Sequence, residues 1–144
     1  VIQQAEIIRI ADAIVSYLTG NAFAMPLEVV RAYLPTLDLG DFTNIRVTIV
    51  PRESEDVPET RTQRELTYKL DVGVQKKLAS FDEIDGLMLL VESIIDYLWA
   101  SKQLPTMPQA MLRGVEHTTM YSADHLDQLR QFTSVFTLTY RVVR

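Results

Sequence analysis

The chain contains no cysteine, which removes disulfides, zinc–thiolate sites and thiol nucleophiles together. Glycine occurs five times in 144 residues and never in a cluster, so a phosphate-cradling loop has no support. The two histidines, His117 and His125, are eight positions apart, wider than the usual metal-pair spacing; Asp124 and Asp127 flank His125, and a solvated turn explains that pattern better than a weak metal site. No serine stands in a G-x-S-x-G elbow. Long apolar runs are missing too. The longest, 87–91, is five residues and Glu92 closes it, against the roughly 20 that a membrane span requires. Cations are in deficit, with 14 Lys and Arg against 19 Asp and Glu and a net charge of −5. A sequence-independent nucleic-acid binder needs clustered cations to displace phosphate counterions, so that class is disfavoured. The opening residues 1–4 lack a basic flank and an unbroken apolar stretch, and the chain is expected to be made and kept inside a cell.

What is present is ordinary globular composition, 47% hydrophobic and 23% charged, expected to form a single α+β domain over 1–144. Ile7, Ile10, Ala11, Ile14 and Leu18 recur at helical spacing with Glu6, Arg9, Asp12 and Ser16 outside the stripe, which predicts a helix ended by Gly20-Asn21, residues tolerant of positive φ, and barred from continuing by Pro26. Residues 27–34 predict a short strand stopped at Pro35, 38–44 a connection, and 44–50 a second strand with Ile45, Val47 and Ile49 on one face, stopped by Pro51. A third, longer strand carries Leu66, Tyr68, Leu70, Val72 and Val74 against Glu65, Thr67, Lys69, Asp71 and Gln75. Ser80 and Glu83 match a capping box, followed by the wide apolar stripe Ile84, Leu87, Met88, Val91, Ile94, Ile95, Leu98 and Trp99, with Pro105 as the stop. After a loop at 101–109, residues 110–121 predict a strand and 122–128 a turn. The last strand alternates Phe132, Ser134, Phe136, Leu138, Tyr140 and Val142 against polar neighbours. The order α-β-β-β-α-β-β predicts a two-layer domain, an antiparallel or mixed sheet with two main helices on one face.

Chemistry-bearing constellations are few. Asp82/Glu83 sit at a helix start, where negative charge suits the dipole, and Glu55/Asp56 lie in a polar stretch, so neither reads as an acid–base pair in a cleft. Trp99, Tyr68, Phe132, Phe136 and Tyr140 have the spacing of core residues. A pocket between Trp99 and the sheet, with Tyr68, Tyr97 and His117 as its polar groups, is the small-ligand or enzymatic alternative. No cofactor, metal or catalytic residue is expected. The stretch that stands apart is 51–65, a proline-bounded loop and arm projecting from the domain. It holds Arg52, Arg61 and Arg64 against Glu53, Glu55, Asp56, Glu59 and Glu65. Such a mixture suits pairing with a neighbouring copy as well as it suits a solvated face.

The early helix with ADAIVSYL, the strand ending IRVTIVPR, the acidic loop, and LTYKLDVGVQKKL followed by a capped helix together resemble the tail-terminator, or tail-completion, proteins of long-tailed bacteriophages, over nearly the whole chain. The resemblance implies a non-enzymatic virion structural protein, assembled in the host cytoplasm as a homo-oligomeric ring, commonly a hexamer. Such a ring caps the tail tube and offers a surface for head-to-tail joining. Its partners are then itself, the tail tube protein, a head connector or neck protein, and genomic DNA that passes through the channel without sequence-specific binding. A phage neck or head-closure protein is the alternative within the class. No active-site residue is carried over. Arg52, Glu53, Glu55, Asp56, Arg61 and Arg64, with Lys69 and Asp71 on the adjoining strand, are the candidate contacts to adjacent subunits or the tube.

Overall fold

A computed structural model describes residues 4–21, 23, 25–33, 45–119 and 121–144. The elements are α1 (Glu6–Thr19), β1 (Leu27–Arg31), β2 (Ile45–Pro58), β3 (Arg64–Lys77), a 3-10 turn (Phe81–Glu83) running into α2 (Ile84–Ala100), β4 (Gln103–Leu104), β5 (Met107–Thr119), a wide helical turn (His125–Leu129) and β6 (Gln131–Val143). The strands form one six-stranded sheet in the order β1-β2-β3-β6-β5-β4. β1 pairs parallel with β2 and the remaining pairs are antiparallel, so the fold is α+β with a mixed sheet. The expected order of elements holds, with β4 added where the sequence reads as a loop. The first strand ends at Arg31, short of the expected 34, with Ala32 and Tyr33 described outside it; Pro35 and the connection at 38–44 lie outside the described residues.

The two longest alternating segments, β3 and β6, pair in register from Glu65↔Val143 to Lys77↔Gln131 and form the middle of the sheet. Period-2 alternation puts Leu70, Val72 and Val74 on the same face as Phe132, Phe136, Leu138 and Tyr140, and all seven are fully buried. α1 contributes Ile10, Ala11, Ile14 and Leu18 to this core, and α2 contributes Leu87, Leu90, Val91, Ile94 and Leu98. The helices meet where Tyr17 stacks on Tyr97, ring centroids 4.3 Å apart, and the Tyr17 hydroxyl donates to the Tyr97 carbonyl at 3.0 Å. Ser80 accepts from the Asp82 amide, while the Glu83 carboxylate reaches back to the amides of Ala79 and Ser80 and takes the Lys76 ammonium at 2.5 Å. The Lys76 bond first, with the two amides, holds the Glu83 carboxyl below its ordinary pKa.

Several local expectations change. β2 does not stop at Pro51 but runs on to Pro58. Proline is tolerated there because the ladder shifts between Pro51 and Glu53, leaving Arg52 as the extra residue of a bulge. Gly20 ends α1 at φ −74°, so its tolerance of positive φ is not used; among the described non-glycine residues the positive φ is at Arg130, 48°, whose carbonyl accepts from the Leu78 amide at 2.8 Å. Glu6, outside the apolar stripe of its helix, is buried. Trp99, inside the stripe of its own, is 37% exposed and lies under the Lys102 ammonium.

Candidate functional site

β2 and β3 continue well past the core. Residues 52–64 are all exposed, while Ile49 on one strand and Leu66 on the other are still buried. The turn that joins them is closed by the amides of Glu59 and Thr60 donating to the Gln63 carbonyl, and by the amides of Thr62 and Gln63 donating to the Thr60 hydroxyl. The stretch read as a loop and arm is thus a hairpin over its whole length, laddered from Glu53↔Lys69 to Pro58↔Arg64.

The two flanks of the arm differ. On the β3 flank β6 follows to its end, and Arg64 and Arg144 exchange both backbone hydrogen bonds, at 2.6 and 2.9 Å. On the β2 flank β1 covers only Ile45 to Ile49, with one further bond from the Ala32 amide to the Ile49 carbonyl. Among the described residues nothing pairs with the outer side of β2 from Arg52 to Pro58. The bulge at Arg52 also changes which residues share a face. Before it the odd-numbered residues oppose the core face of β3; after it Ser54 opposes Tyr68 and Asp56 opposes Leu66, and Glu53, Glu55 and Val57 take the other face.

Ion pairs lace the arm together. Glu53 meets its cross-strand partner Lys69 at 3.5 Å, Asp56 meets Arg64 at 2.9 Å, and Arg52 meets Asp71 at 3.5 Å. Thr137 of β6 donates its hydroxyl to Asp71 at 2.8 Å. Of the candidate contacts, Arg52, Glu53, Asp56, Arg64, Lys69 and Asp71 are thus paired with one another, while Glu55 and Arg61 make no ion pair among the described residues. Arg141 of β6 holds Glu59 at 2.6 Å and Glu65 at 3.0 Å. Its alternation with apolar neighbours marked it only as a polar-face residue, because pairing across 82 positions leaves no local signal.

At the base of the arm lies a cluster the sequence did not show. The Glu6 carboxylate accepts the Tyr68 hydroxyl at 2.8 Å and the Arg144 guanidinium at 2.7 Å. Burial works to raise the pKa of Glu6, but the bonds from Arg144 and Tyr68 outweigh it and hold the carboxyl below its ordinary value. Burial first, then the bond to Glu6, push Tyr68 up to about 12. Arg144 therefore ties α1 to the strand pair that carries the arm.

No family model matches the chain, and no curated protein matches it. Among solved structures it is similar to the sheath/tube terminator of an extracellular contractile injection system, PVC, in the extended state. The identity is 15% and the TM-score 0.46, over 99% of this chain and 57% of that one. The chain thus spans little more than half the length of that protein.

The residues of the alternative pocket each have their own engagement. Tyr68 bonds Glu6, Tyr97 stacks on Tyr17, Trp99 lies under Lys102, and His117 meets the Ser134 hydroxyl at 2.8 Å. His125 meets the Thr133 hydroxyl at 2.7 Å, and among the described residues no three metal-ligating side chains gather. A half-open cleft of about 330 Å³ lies elsewhere, between Leu78, Phe81, Leu126 and Arg130.

Proposed function

We propose that this chain is a non-enzymatic structural subunit that closes or joins a phage tail as a homo-oligomeric ring, with the β2–β3 arm as its contact to neighbouring copies or to the tail tube. One observation carries the reading: residues 52–64 hold a defined hairpin although none of them is buried within the protomer. Ordering each residue costs roughly 1–2 kcal/mol. Exposed ion pairs return at most about 1 kcal/mol each, which supports a use of the arm's shape against another molecule. A ring requires two different complementary patches on each copy. The arm is one. The polar faces of β3 and β6, with the partly exposed Lys69 and Thr139, offer a second.

Mass measured in solution, alone and with purified tail tubes, tests this. The expected result is a small species alone and a ring on tubes. A protein that forms no ring and ignores tubes is not a terminator, and co-purification with heads in place of tails would move it to the neck.

A further inference from the structure

We infer that the outer edge of β2 over 54–58 takes an added antiparallel strand from a different polypeptide, one that carries Lys or Arg at alternate positions. This rests on the reading of the arm as a contact surface and supplies the chemistry of what it contacts.

Backbone direction comes first. Arg64 spends both its backbone groups on Arg144, so by alternation Glu65, Thr67 and Lys69 direct theirs at β2. Their partners Val57, Glu55 and Glu53 point back at them. That leaves the amides and carbonyls of Ser54 and Asp56, and the carbonyl of Pro58, directed outward. These are the groups onto which an extended segment adds as a further strand, main-chain bonds supplying affinity and alternate side chains specificity. Pro58 has no N–H, and the bulge at Arg52 breaks the ladder, so the receptive stretch is bounded at both ends.

Charge then selects the occupant. From Arg52 to Glu59 there is one cation against Glu53, Glu55, Asp56 and Glu59. A second copy of this edge is a poor partner. Antiparallel registers that match the outward residues set Glu55 against Glu55, Glu53 against Glu55, or Asp56 against Asp56, and like charges directly opposite destabilise a pair. The same arithmetic favours a strand with cations opposite Glu53 and Glu55; within this stretch Glu53, Asp56 and Glu59 already hold ion pairs, whereas Glu55 makes none among the described residues.

The probe is a short capped peptide alternating Thr and Lys, compared with its Thr/Glu counterpart, on the full chain. The Lys peptide is expected to bind on the order of tenfold more tightly or better, to weaken with salt, and to slow amide exchange at Ser54 and Asp56. Ser54→Pro removes an outward amide without touching the β2–β3 ladder; it should abolish the binding while exchange at Leu70 and Phe136 stays slow. Failure of the Lys peptide to bind, equal binding of both peptides, unchanged exchange at Ser54 and Asp56, or full binding by Ser54→Pro overturns the inference. So does self-association that Ser54→Pro removes, because the occupant is then a second copy. Ring formation on tails is a separate readout, so loss of this inference leaves the structural role standing and loss of that role leaves the peptide result readable.

Discussion

Glu6 shows what a single residue decides here. Its folded pKa is depressed, so its contribution is complete above the ordinary carboxyl value of 4.5 and disappears as pH falls through the lower folded value. Glu6→Ala strands the Tyr68 hydroxyl and frees Arg144, and should cost about 1–3 kcal/mol by denaturant unfolding at neutral pH. Glu6→Gln keeps an acceptor for Tyr68 but loses the charge, and should flatten the fall in stability below pH 4.5. An unchanged acid profile would show that the cluster does not set it. Nothing local marked Glu6. Its partners stand 62 positions away at Tyr68 and at the far end of the described chain, and helical periodicity ranks a glutamate as outward-facing. Trp99 departed in the opposite direction: it fits the apolar stripe in the last turn of α2, yet it is 37% exposed and carries the Lys102 ammonium over its ring.

At the scale of elements, alternation made β3 and β6 legible because each is buried on one face over its whole length. β2 was half legible. Its core segment alternates cleanly, but the bulge shifts the parity at Arg52, and Pro51 then reads as a stop when it is a permitted edge residue. Within the arm the charges divide by their partners. Arg61→Glu should leave the unfolding midpoint nearly unmoved, within about 0.5 kcal/mol, and impair assembly. Arg64→Glu sets a like charge beside Asp56; Asp56→Arg on the same chain should restore both the pair and assembly, as a double-mutant cycle would measure. Wild-type assembly by Arg61→Glu would remove that residue from the interface.

Across the whole molecule, the buried core and the exposed arm occupy different ground. Phe136 is fully buried in the core, and Phe136→Ala should cost about 3–5 kcal/mol. In a domain whose total stability is roughly 5–15 kcal/mol, that is enough to shift calorimetric melting strongly. The arm substitutions should not move it. The order of elements was readable from the chain, but the adjacency of β3 to β6 and the docking of the two-residue β4 were not, because pairings across such separations leave no periodic trace. Arg52, the unmatched residue of the bulge, carries one last consequence. Because bulges bend and twist a strand, its deletion should leave every facing pair from Glu53↔Lys69 outward in place and the melting temperature nearly intact. The tip of the arm would take a different heading, and subunits that each fold correctly would miss one another. Stable, monodisperse protein unable to build a closed ring would be the signature; rings of normal diameter would show that the heading is set elsewhere.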